Sequence, residues 1–155
     1  PATLQQVLNH YDQATTNFHQ WQEELSQEDI SQLLQQRLGI DFGQIQQLEP
    51  LARGKSGRIY RLRIVGTKAQ YIIGKELEIR RALSHTHLLS SCFDVEPLDI
   101  NADGIPQRFR LHGKGWGHGV GLCQIGAAVM GEQGKDYTDI LQHYYKNTQI
   151  TTLYN

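Results

Sequence analysis

The 155-residue chain has only two cysteines, Cys92 and Cys123, too few for a disulfide framework or a four-thiolate zinc site. It has no run of about 18 apolar residues, so no helix of it is expected to span a membrane. It has no basic excess: 15 Lys and Arg stand against 16 Asp and Glu, giving a net charge of -1. That balance argues against a dedicated nucleic-acid binder, which carries a basic face. Proline is scarce, at 4 residues, and glycine is missing before Gly39. The chain opens at Pro1 with no Met and no apolar leader and reads as a piece of a longer protein, so its compartment is not legible from a signal peptide. The length suits one domain with a core of its own.

Hydrophobic periodicity and turn residues predict the elements. Residues 3–14 fit a short amphipathic helix, with Leu4, Val7, Leu8 and Tyr11 on one face, and residues 15–25 read as extended. Ser26, with Asp29 three residues on, is expected to cap a helix over 27–38. Ile30, Leu33, Leu34 and Leu38 would form its buried stripe, and Gly39 its stop. Strands over 44–52 and 58–65 flank Gly54-Lys55-Ser56-Gly57, a hairpin signal. In the second of them, Tyr60, Leu62 and Ile64 alternate with Arg61 and Arg63, which predicts one buried and one wet face. A turn at 66–69, a strand over 70–73 and a short helix over 75–83 follow. Two further strands, 92–98 and 107–112, surround Asn101-Ala102-Asp103-Gly104. Helices are expected near 122–132 and 138–145. The second presents Tyr137, Ile140, Leu141 and Tyr144 as a buried face and takes Asp136 as its cap. This order predicts the α+β class: one domain with an antiparallel hairpin sheet, flanking helices, a glycine-rich loop and a C-terminal helix pair.

The stretch HGKGWGHGVGLCQIGAA over 112–128 carries most of the functional information. Gly113, Gly115, Gly117, Gly119 and Gly121 fall on every second residue. If extended, they leave one face of bare backbone and put Lys114, Trp116, His118 and Val120 on the other. Glycine equally permits positive φ and a folded loop. In either form the backbone can be closely approached, by a ligand or by another element of the fold. The spacing matches neither phosphate-binding glycine motif, so nucleotide binding is set aside. Trp116 suits stacking on the C–H face of a sugar, or a place in the core. His118 suits proton transfer, hydrogen bonding or ligation, or a structural bond to a carbonyl. With Cys123 five residues on, it offers zinc ligation or a thiol nucleophile with its base, although no third ligand lies nearby. His85 and His87, two apart, give a weaker metal signal, and solvent-exposed or capping roles suit them better.

The run GWGHGVGLCQIGAAVMGEQGKDYTDILQHYYKNTQI resembles the C-terminal signature of the stage II sporulation protein D family, also called the SpoIID/LytB domain family. Its usual form is close to G-x-G-W-G-H-G-V-G-M-S-Q-Y-G-A, then G-x-x-Y-x-x-I-L-x-H-Y-Y. Upstream, Ser56-Gly57-Arg58 resembles the family's S-G-R hairpin. Ile79-Arg80-Arg81-Ala82-Leu83 resembles its L-R-x-x-L segment, and Leu89-Ser90-Ser91-Cys92-Phe93 its S-S-x-F strand. Cys123 replaces the usual Ser and Ile125 the usual Tyr. The resemblance divides the chain into an N-terminal helical segment, 1–14, and the C-terminal portion of a SpoIID-like domain, 15–155.

That resemblance implies wall chemistry: a lytic transglycosylase acting on peptide-free peptidoglycan glycan strands, or a non-catalytic wall-binding module or amidase enhancer. It implies an extracytoplasmic location in the cell wall or periplasm, a role in sporulation or wall remodelling, glycan strands and a wall amidase as partners, and no cofactor, with zinc at His118 and Cys123 as the alternative. Glycan binding falls to Lys114, Trp116, His118, Gly119, Gly121, Cys123 and Gln124, with His118 a possible catalytic auxiliary. Cleavage needs a carboxylic acid to protonate the glycosidic oxygen. The family carries it in a V-x-x-E-M motif that this sequence does not contain, so the acid is expected upstream.

Overall fold

The protein is described from a computed structural model covering residues 20–153. The helix expected over 3–14 and the first residues of the extended segment lie outside the described residues. The rest divides into two compact units, 20–118 and 119–153, each treated by itself.

Unit 20–118 holds six strands and two helices. Strand β1 is Gln20–Ser26, followed by helix α1, Gln27–Leu38. Strands β2 (Ile45–Arg53), β3 (Ile59–Gly66) and β4 (Gln70–Gly74) lead to helix α2, Glu76–Ala82. Strands β5 (Phe93–Ile100) and β6 (Pro106–Lys114) complete the unit. The strands form two antiparallel three-stranded sheets, in the orders β1-β6-β5 and β2-β3-β4. The α+β class and antiparallel pairing are those expected, distributed over two sheets.

The local signals act as the sequence predicts. Extended Ser26 accepts the Asp29 amide hydrogen at 3.1 Å, and its hydroxyl donates to the Asp29 carboxylate at 2.7 Å. Gly39 ends α1 at φ 70°, where its amide reaches the Gln35 carbonyl. Ile30, Leu33 and Leu34 are buried, and Leu38 is half-buried. They join Leu25, Phe42, Ile45, Ile59, Leu62, Ile64, Ile79, Phe93, Phe109 and Leu111 in one apolar cluster. Gln27, in the first turn of α1, ties the two sheets together. Its amide group donates to the carbonyls of Ile45 on β2 (2.8 Å) and Pro106 on β6 (2.6 Å), and its oxygen accepts the Ile45 amide hydrogen (2.7 Å).

The expected burial of Tyr60 is corrected. Tyr60 is 48% exposed, and Ile59 takes the core position beside Leu62 and Ile64. The register passes from Ala52↔Arg61 to Arg53↔Ile59, a β-bulge that skips Tyr60 and breaks the alternation next to the hairpin.

Unit 119–153 contains helices α3, Gln124–Glu132, and α4, Tyr137–Tyr144. Asp136 caps α4 as expected, accepting the Asp139 amide hydrogen at 2.9 Å. The expected buried face of α4 is corrected: Tyr137 is 71% exposed, and Ile140, Leu141 and Tyr144 are only half-buried. A stripe at helical spacing identifies the apolar side of a helix and not how deeply it is covered. No helix among the described residues is long and apolar enough to cross a membrane.

Candidate functional site

The glycine-rich segment begins inside β6. Gly113 is extended and pairs with Trp21 on β1 and Phe93 on β5. Its bare face is filled from within the protein, because the Trp21 indole lies where a Cβ would stand. That indole also tilts against Phe93, with ring centroids 6.2 Å apart, and its Nε1 donates to the Gly115 carbonyl at 3.2 Å. Beyond Lys114 the chain turns. Gly115, Gly117, Gly119 and Gly121 have φ of 72°, 76°, 68° and 81°, whereas Trp116, His118 and Val120 keep negative φ. Alternating signs of φ cannot continue a strand, so the segment is a folded loop.

Two distant segments hold the start of this loop, and a third braces one of them. Arg58, which follows the β2–β3 turn, donates through Nε to the Gly117 carbonyl at 2.8 Å and through Nη2 to the Trp116 carbonyl at 3.2 Å. Leu89 accepts the Gly117 amide hydrogen (2.8 Å), Cys92 accepts that of Lys114 (2.8 Å), and the Ser90 hydroxyl donates to the Lys114 carbonyl (2.6 Å). Residues 88–92 are themselves pinned by buried Arg80 on α2, whose Nε donates to the Leu88 carbonyl at 2.6 Å. The segments that resemble the family's S-G-R and S-S-x-F elements therefore meet at the loop, and the L-R-x-x-L-like segment braces the second of them.

A groove of about 590 Å³ opens there, lined by Gln20, Ser56, Arg58, Cys92, Lys114 and Gly115. A cleft of about 310 Å³ lies against the outer face of the β1-β6-β5 sheet, lined by Gln20, Trp21, Gln22, Asp94, His112, Gly113 and Lys114. Both volumes lie in the range of small-molecule sites. Gln20 and Lys114 line both. The remaining outer face of that sheet is a lattice of ion pairs: Arg110 bridges Glu24 and Glu96, Arg108 bridges Glu24 and Asp99, and Arg53 holds Asp94 at 2.8 Å. Glu96 is held below the ordinary carboxylate range, first by its hydrogen bond to His112. On the opposite side of β1, burial raises the Glu23 carboxyl above its ordinary value, opposed by the Ser84 hydroxyl and His85.

Of the expected site residues, Lys114, Trp116 and His118 belong to unit 20–118. All three are exposed, Trp116 by 47%. Gly119, Gly121, Cys123 and Gln124 belong to unit 119–153 and are also exposed, with Cys123 at the cap position of α3. Cys92 and Cys123 are free thiols. Among the described residues no three His, Cys, Asp or Glu side chains gather as a metal site. Sequence reasoning missed Gln20, Ser56, Arg58 and Cys92 as groove residues. Their only signal was that Ser56, Arg58 and Cys92 fall inside family-like segments.

The profile of a family described as "Domain of unknown function (DUF8618)" matches residues 1–121. Over 38 residues, 24% of its length, the chain is 58% identical to stage II sporulation protein D of Bacillus amyloliquefaciens. Over 45 residues, 29% of its length, it is 42% identical to the amidase enhancer of Bacillus subtilis strain 168. Over 56 residues, 36% of its length, it is 55% identical to an uncharacterized protein of Brachyspira hyodysenteriae. These matches span 11%, 6% and 15% of the respective relatives' own lengths. The resemblance to the stage II sporulation protein D family is borne out over those partial segments.

Proposed function

Since the chain belongs to the DUF8618 family and shares segments with stage II sporulation protein D and an amidase enhancer, we propose that it binds peptidoglycan glycan strands. In this reading it serves as part of a SpoIID-like lytic transglycosylase outside the cytoplasmic membrane. The observation that carries the reading is the meeting of two separate family-like segments, the second braced by a third, at the start of the glycine loop beside a groove of ligand size.

The chemistry follows from what that convergence exposes. With its carbonyls at 116 and 117 tied to Arg58, the loop holds an exposed Trp116 ring, suited to stacking on a pyranose. Lys114 supplies three donors on a flexible stem at the groove wall, for sugar hydroxyls, N-acetyl carbonyls or a lactyl carboxylate. His118 is assigned an auxiliary proton-transfer or hydrogen-bonding role. Gly119, Gly121, Cys123 and Gln124 complete the proposed glycan-binding set. No cofactor is called on. Cleavage is assigned to an acid in the V-x-x-E-M motif, which this sequence lacks. Asp94 lies by the sheet-face cleft, but Arg53 engages it in an ion pair.

The 155-residue chain should bind peptide-free glycan strands in a titration, and Trp116→Ala should weaken binding about fivefold, the worth of one good stacking contact. Incubation with the same strands should yield no 1,6-anhydro products by mass spectrometry. Products formed by this chain alone would relocate the acid into it, and failure to bind would overturn the reading. A second reading, a wall module that assists an amidase, is favoured by the amidase-enhancer relative. It predicts glycan binding together with faster wall hydrolysis by an added amidase.

A further inference from the structure

The two clefts meet at Gln20 and Lys114, and the second, on the outer face of the β1-β6-β5 sheet, has no part in the function proposed above. The strand register builds it. Gln22, His112 and Asp94 sit side by side across β1, β6 and β5, and Gln20 pairs with Lys114 one step along. Alternation then brings the side chains of Gln20, Gln22, His112, Lys114 and Asp94 to the same face.

This corner differs from the rest of the face. Farther along, the charges of Glu24, Arg108, Arg110 and Asp99 are consumed in ion pairs. At the corner the amide side chains of Gln20 and Gln22 and the ammonium of Lys114 make no hydrogen bond to the described residues. The fixed groups beside them are held in place: His112 by Glu96 at 2.8 Å, and Asp94 by Arg53 at 2.8 Å. Trp21 and Gly113 lie between them in the floor of the cleft, the Trp21 indole itself turning to the opposite face to pack over Gly113 and against Phe93. Unused amides offer donors and acceptors together, which suits hydroxyls and N-acetyl groups better than a phosphate or a metal ion. Polar groups converging on one cleft are a mark of a small-molecule site.

We infer that this sheet-face cleft is a second saccharide subsite, continuous with the loop groove through Lys114, so that the chain grips a strand over more than one disaccharide. The inference rests on the glycan-binding reading and deepens it. The groups are pre-oriented by the sheet, so added sugar residues gain contacts without ordering new side chains.

The test compares peptide-free disaccharide and tetrasaccharide fragments of alternating N-acetylglucosamine and N-acetylmuramic acid, titrated into the 155-residue chain. The tetrasaccharide should bind at least tenfold more tightly. The Gln22→Ala/His112→Ala double variant, at two positions that line the sheet-face cleft and not the loop groove, should lose most of that gain, each hydrogen bond being worth roughly fivefold, while disaccharide affinity stays within about twofold. Both positions are exposed, so the fold is not at stake, and an unchanged circular-dichroism melt checks this. Equal affinity for the two fragments, or a length gain that survives the double substitution, overturns the second subsite and leaves the first reading standing. Failure of both fragments to bind overturns both.

Discussion

Gly113 and its neighbours 115–121 look alike in the sequence and do opposite things. At Gly113 the missing side chain makes room for an indole from the adjacent strand, so this glycine is a packing residue. At Gly115 and Gly117 the positive φ is what matters. Gly113→Ala should therefore destabilise the fold by about 1–3 kcal/mol, the usual cost of overpacking, because the methyl would displace Trp21 from between Phe93 and the Gly115 carbonyl. Denaturant melts read this directly, and an unchanged midpoint would mean that the indole is not fixed there. Trp21 and Trp116 divide the work in the same way, one half-buried against a bare strand and one presented on the loop.

At the scale of elements, burial separates the helices. Leu34→Ala in α1 should destabilise by about 2–5 kcal/mol, a full cavity cost, since Leu34 has no exposure. Ile140→Ala in α4 should cost about 1 kcal/mol, because part of that side chain already meets water. Paired thermal or denaturant melts decide it, and equal losses would place α4 in a core. The same contrast explains what the sequence made legible. Ser26, Gly39 and Asp136 act through neighbours within four residues, so each cap is readable from spacing alone. The hairpins are readable for the same reason. Tyr60 is not, because the bulge that turns it outward is set by pairing with β2. Nor is the groove: Gln20, the Ser56–Arg58 turn and Cys92 come from three separate places in the chain, and only folding brings them to Lys114. The glycine loop was conspicuous by its composition. What holds it was visible only as short family-like fragments without an assigned role.

For the whole molecule, stability is unevenly spread. Every buried apolar side chain among the described residues falls between Leu25 and Leu111, and neither α3 nor α4 contains a buried residue. Protection against amide hydrogen exchange should follow this division. Backbone amides of α1, β3 and β6 should exchange only through global opening, and those of α3 and α4 should exchange faster through local opening. Residue-resolved exchange by NMR measures it, and equal protection of α4 and α1 would contradict the division.

The tether of Arg58 to the carbonyls of Trp116 and Gly117 has a kinetic meaning as well. It joins positions 58 and 59 residues apart, and the segment 89–92 that supports the same turn lies between them in the chain. Contacts of such long sequence separation carry a loop-closure cost that local hairpins and capped helices do not. The β2–β3 hairpin and α1 can form from near neighbours, but the loop acquires its shape only once chain ends far apart in sequence have met. A ligand selecting that shape would thus favour molecules that have finished folding, and a chain arrested partway would lack the surface it needs to engage a partner.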